Sequence, residues 1–229
     1  MRTRSPFFSR WLLLTILVTV GAIFAKAQTQ SSSPTVVFAT GFEASEGYDR
    51  LLTLAGQNGW VSSGSGGSGL VTNFFEGRGQ QAYIGFSPPT NNNDLFNVWK
   101  PVNLAPIPPS RAVVKFSVLM EIMDSTNGQF DDFRWSIYNT NGARLFSLDF
   151  DNASLGVSYA LEGTNFVSTG FSFAHRGSYD LVIAMNFARN FWSASLNNTG
   201  LVNAKPITTT GTALNFGDDE RRFRDACQP

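Results

Sequence analysis

Alternation of apolar and polar positions dominates this 229-residue chain. From 112 to 122, Ala112, Val114, Phe116, Val118, Met120 and Ile122 share one face of an extended strand, with Lys115, Ser117 and Glu121 on the other. The same period of two returns in Phe133, Trp135 and Ile137, in Phe146, Leu148 and Phe150, in Leu181, Ile183, Met185 and Phe187, and in Trp192, Ala194 and Leu196. Such strands have one buried and one wetter face. Asn139-Thr140-Asn141-Gly142, Ala188-Arg189-Asn190 and Asn197-Asn198-Thr199-Gly200 separate them with residues suited to tight turns, which predicts hairpins. Ser62 to Gly69, almost all Ser and Gly, and Ser87 to Asp94, with two prolines and three asparagines, read as longer exposed loops. No apolar pattern of helical period lasts three turns and no repeat of fixed period is present. The expectation is an all-β fold of ten or more short antiparallel strands in a two-sheet sandwich or jelly roll.

The N-terminus departs from this pattern. Arg2, Arg4 and Arg10 precede an unbroken apolar run from Trp11 to Phe24, and Ala25-Lys26-Ala27 follows. A basic region, a short apolar stretch and an A-x-A site predict a secretory signal peptide over 1–27. The run is shorter than the roughly 20 residues that span a bilayer core. Polar residues 28–35 read as a spacer, 36–217 as a single domain and 218–229 as a tail.

Loss of Arg2, Arg4, Arg10 and Lys26 would leave 13 basic residues against 17 acidic, a net charge near −4 that argues against nucleic acid or anionic membrane as partner. Aromatics make up 14% of the chain, including 21 Phe, against 15% charged residues, which supplies a large core. Cys227 is the one cysteine, so no disulfide can form within the chain and stability rests on burial.

The segment Phe38-Ala39-Thr40-Gly41-Phe42-Glu43-Ala44-Ser45-Glu46-Gly47-Tyr48, followed by Leu54-Ala55-Gly56-Gln57-Asn58-Gly59-Trp60, resembles the opening of secreted bacterial concanavalin A-like domains related to laminin-G jelly rolls. Phe133 to Leu148, and Tyr179-Asp180-Leu181-Val182-Ile183 with Asn190-Phe191-Trp192-Ser193-Ala194, are similar to that group's central hairpin and paired late strands. The likeness covers about 38–216 and implies a concanavalin A/laminin-G-like jelly roll, a fold that hosts many functions. Domains of this group close with a further C-terminal strand, whereas here Gly217 is followed by Asp218-Asp219-Glu220-Arg221-Arg222-Phe223-Arg224, without a strand pattern. Either the closing strand is lost by truncation or frameshift, or 218–229 is a natural tail.

Related folds include glycoside hydrolases, which need two carboxylates at defined separation. The E-x-D-x-x-E pattern of laminarinase-type hydrolases is missing, and Glu121 and Asp124, three apart, point to opposite faces of an ideal strand. Asp149 and Asp151 share a face and, with Asn152, offer oxygen ligands of the kind calcium takes in laminin-G-like domains; the plainer reading is that Asp151-Asn152 opens a turn. His175 lacks a sequence-near metal-ligand partner, no G-x-S-x-G elbow is present, and His175 reads as an exposed loop residue. Gly64 to Gly69 reads as a linker, because no phosphate-loop Lys-Ser/Thr follows. Asn152-Ala153-Ser154 and Asn197-Asn198-Thr199 are glycosylation sequons, usable in a eukaryotic secretory pathway.

Aromatic faces stack on pyranose C–H surfaces while amides, carboxylates and Arg satisfy the hydroxyls. Trp135 and Trp192 alternate in phase with core residues, whereas Trp60 is the candidate for exposure. Asp132, Arg134 and Tyr138, on the face opposite Trp135, and Asn186 on a later strand complete a candidate carbohydrate site. The sequence thus predicts an exported, non-catalytic module that binds polysaccharide or a cell-surface component. The alternatives are a structural or adhesion module without a glycan ligand and a divergent glycoside hydrolase.

Overall fold

Twelve strands carry the fold in the computed structural model, which describes residues 33–87, 95–102, 104, 106–124, 132–209 and 212–217. The predicted signal peptide, most of the spacer, 88–94 of the Pro/Asn loop, Asp131 and the charged tail lie outside the described residues. Residues 33–36 belong to a separate N-terminal unit, and all twelve strands lie in the unit that begins at Val37.

Four antiparallel sheets form, and the described residues contain no α-helix. β1 (Val61–Ser63) pairs with β4 (Asn97–Trp99), and β2 (Gly67–Thr72) with β3 (Gln80–Ser87). β5 (Val113–Glu121), β10 (Ser178–Asn186), β11 (Phe191–Leu196) and β12 (Thr199–Pro206) make a four-stranded sheet in the order β12-β11-β10-β5. β6 (Asp132–Tyr138), β7 (Arg144–Asp151), β8 (Gly156–Leu161) and β9 (Val167–Ser172) make the other, in sequence order.

The two four-stranded sheets share one core. Leu181, Ile183 and Met185 of β10 and Trp192, Ala194 and Leu196 of β11 meet Phe146, Leu148 and Phe150 of β7 and Val157 of β8 in a single cluster, which places the predicted alternating positions inward. Trp192, fully buried, stacks on Phe146 with ring centroids 3.9 Å apart and planes at 13°, and Tyr159 of β8 meets its edge at 6.0 Å. Phe116 of β5 lies 5.1 Å from Trp135 of β6, so each sheet's edge strand faces its counterpart. Asn197 and Asn198, at φ 47° and 64°, form the β11–β12 turn, as their tolerance of left-handed backbone predicts. Asn139 holds the β6–β7 turn by accepting from the backbone N–H groups of Asn141 and Ala143.

A smaller cluster of Tyr48, Leu54 and Leu70, with Phe42, Trp60, Ala82 and Val98, lies under β1–β4. Here the Ser/Gly reading needs correction: 62–69 is not one exposed loop but β1, a short turn and the start of β2, with Ser68 buried. Its glycines serve close packing. Gly64, at φ 83°, passes so near the Leu95 carbonyl that a Cβ would overlap it, and Gly66, at φ 128°, lies against the Phe96 ring. Composition resembles a linker because both close approach and solvated coil favour residues without bulk.

Replacing Trp192 by Ala should lower the unfolding free energy by about 3–5 kcal/mol, since it empties the interlayer stack. Among the described residues the indole Nε1 has no acceptor, so Trp192→Phe removes an unpaired buried donor with the lost volume and should cost less than half as much in chemical denaturation.

Candidate functional site

The polar face of β6 and β7 is built around one cation. Arg134 sits opposite Asp149 in the β6–β7 register, and side chains directly opposite on one face meet. Its Nε donates to Asp149 Oδ1 at 2.8 Å, and its Nη2 lies 3.7 Å from Asp132 Oδ2 on its own strand. The Asp149 side chain is 7% exposed, Arg134 31% and Asp132 48%, so the trio has a buried anion, a partly covered cation and an outward carboxylate. Phe166, in the segment leading into β9 and 39% exposed, places its ring 4.6 Å from the guanidinium carbon. Ser136 and Ser147 share a 2.8 Å hydroxyl hydrogen bond one row along.

Sequence alternation predicts a wet outer face, yet β7 is buried on both sides from Leu145 to Phe150. Two causes are visible. A register shift between Ile137 and Tyr138 makes β7 bulge at Leu145, which joins Phe146 in the core, while Asp149 is covered by its contact with Arg134.

The other predicted glycan residues do not converge there. Tyr138 ends β6, roughly 13 Å along the strand from Arg134 at the usual rise per residue. Asn186 ends β10 in the other four-stranded sheet, where its Oδ1 accepts from Arg189 N–H and closes the β10–β11 turn. Trp60 donates its Nε1–H to Tyr48 Oη at 3.0 Å and packs beside Phe42 and Phe38, as a member of the smaller cluster.

The three residues read as calcium ligands have separate engagements. Asp149 holds Arg134. Asp151 accepts from Ala153 and Ser154 N–H at Oδ1 and from Ser154 Oγ at 2.6 Å at Oδ2, the turn-opening arrangement. The Ser154 hydroxyl, ahead of these backbone donors, holds the Asp151 carboxyl below the usual Asp value. Asn152, 2% exposed, donates Nδ2 to Met123 O at 3.3 Å and presents Oδ1 to His175 Nε2 at 2.5 Å. His175 therefore is not a free loop residue: half-buried, with Nδ1 3.7 Å from Asp124 Oδ1, it joins the end of β5 to the β7–β8 turn and the β9–β10 connection. Among the described residues no cluster of three or more His, Cys, Asp or Glu has the spacing of a metal site.

Both sequon asparagines are structural as well. Asn152 is buried in this junction, and Asn197 uses its amide to accept from Asp180 N–H and donate to Ser178 O across the β11–β12 turn.

Surface depressions occur beside Ser117, Leu119 and Asp180 and beside Ile107, Phe187 and Leu214. No described helix is long and apolar enough to cross a membrane.

Comparison of the chain with protein-family models, curated proteins and solved structures finds no match. Phe166 is the member of the Arg134 face that the sequence did not reveal, because it follows a Gly163-Thr164 turn and precedes β9 without a period that marks it.

Two outcomes are expected. Arg134→Ala should destabilise by about 2–3 kcal/mol by leaving Asp149 covered and unpaired, and pairing it with Asp149→Leu should recover most of that loss in a double-mutant cycle. Asp151 favours the folded state above its unfolded-state pKa, and that contribution fades as pH falls through its lowered folded value. Ser154→Ala should shift the Asp151 titration upward, toward the ordinary carboxylate value, in side-chain NMR.

Proposed function

We propose that the chain is an exported, non-catalytic binding module that holds extracellular polysaccharide on the Arg134 face. What carries the reading is the clamped guanidinium beside an exposed ring: Asp149 fixes Arg134 from below, Phe166 lies against it and Asp132 stands at its edge. Pyranose recognition needs an apolar ring for the C–H face and rigid planar donors and acceptors for the hydroxyls. A group already immobilised loses little side-chain entropy on binding. Among the described residues the guanidinium has no further acceptor, so its remaining N–H groups can meet ligand hydroxyls.

The two four-stranded sheets about one core suit a concanavalin A/laminin-G-like jelly-roll sandwich, and the basic, apolar, A-x-A leader suits export and cleavage before Gln28. The missing E-x-D-x-x-E pattern favours binding over glycoside hydrolysis, which needs two carboxylates at defined separation.

Affinity electrophoresis of the exported protein through mixed-linkage β-glucan, xylan and galactomannan tests the reading, with calcium and with chelator. Retardation by at least one polymer is expected, weakened about tenfold by Phe166→Ala, equivalent to about 1.4 kcal/mol. A folded protein that none retards would replace this reading with a structural or adhesion role. Retardation lost only in chelator would restore Asp149, Asp151 and Asn152 as a cation site.

A further inference from the structure

The β2–β3 hairpin carries a pair of rings at its tip, one exposed and one partly buried. Phe74, 44% exposed, and Phe75 stand edge to face, with centroids 5.6 Å apart and planes at 88°. Apolar rings on a loop are usually mobile, but the backbone here is braced. Phe74 N–H donates to Gln81 Oε1 at 2.9 Å, while Gln81 Nε2 donates to the carbonyls of Arg78 and Gly79, each at 3.0 Å. Asn73 N–H closes the loop onto Gly79 O at 2.7 Å, and Arg78 N–H onto Phe75 O at 3.0 Å. At the loop's base Glu43 Oε1 accepts from Gln80 N–H at 3.0 Å, and Gly79, at φ 71°, passes close enough to that carboxylate that a Cβ would overlap it.

We infer that this tip is a second sugar-contact site, separate from the Arg134 face and serving the same polysaccharide. Size decides the class of partner. A stable protein interface buries about 800 Å² on each side, far more than two Phe rings offer, whereas one ring face matches one pyranose. Glu76 and Arg78 follow the rings in the same loop, both exposed and without an ion-pair partner among the described residues, and they supply an acceptor and a planar donor for hydroxyls. Bracing by Gln81 fixes the backbone that carries the Phe74 ring before the ligand arrives, which lowers the entropic cost of contact. Two separated contacts on one polymer raise apparent affinity by effective concentration, beyond either alone.

The inference rests on the polysaccharide reading, and the experiment separates the two. Phe74→Ala, Phe74→Trp and the Glu76→Ala/Arg78→Ala pair are compared with Phe166→Ala by affinity electrophoresis in mixed-linkage β-glucan, xylan and galactomannan, each variant first checked for an unchanged melting transition. Phe74→Ala should weaken retardation five- to tenfold, Phe74→Trp should preserve it, and the charge pair should weaken it even if Phe74→Ala disturbs folding. Unchanged retardation in Phe74→Ala and in the charge pair, with loss in Phe166→Ala, would overturn the second site and leave the Arg134 face standing. Failure of every polymer to retard the unaltered protein would overturn both.

Discussion

Contact between the inward faces of the two four-stranded sheets sets the terms for everything else in this domain. Trp192 lying flat on Phe146 makes one layer of side chains serve both sheets, and Leu148, Phe150, Leu181, Ile183 and Met185 fill the space around it. Without a disulfide to restrict the unfolded chain, the folded state depends on that burial. The indole N–H, without a partner among the described residues, is the cost of using the largest side chain in that layer.

A rigid core frees the outer faces for polar work, and β7 joins the two roles. Phe146, Leu148 and Phe150 hold its inner side, while Ser147 and Asp149 on the outer side are covered by bonds to β6. The ion pair is thus neither fully solvated nor fully buried, which suits Arg134 to present donors in a fixed plane. The aromatic partner comes from the approach to β9, so the site is complete only when the whole sheet is assembled.

Much of this was legible in sequence because strand burial has a period of two. The inward residues of β5, β6, β7, β10 and β11 follow directly from it, and so do the Asn-rich hairpin turns. What escaped depends on distance along the chain. The Ser/Gly stretch looks like coil until Leu95 and Phe96 arrive against it, and His175 looks solitary until the β7–β8 turn brings Asn152 to it. At the candidate site the alternation placed Asp132 and Arg134 on one face correctly, but it could not tell that Asn186 belongs to another sheet, that Tyr138 stands at the strand's far end or that Phe166 folds toward Arg134. Asp149 was visible as an acidic residue, while its partner was not, because cross-strand register depends on a bulge at Leu145 that no local pattern marks.

The Arg134–Asp149 pair also bears on which strand alignment is stable. If β7 slid by one position against its neighbours, every side chain would change faces, so that Asp149 would enter the apolar interlayer and Phe146, Leu148 and Phe150 would face water. A carboxylate in that layer, with no cation within reach, would be penalised far more heavily than a misplaced Ser. The charged pair therefore selects one alignment of the hairpin from its near neighbours, a form of proofreading that continues whether or not any ligand is bound.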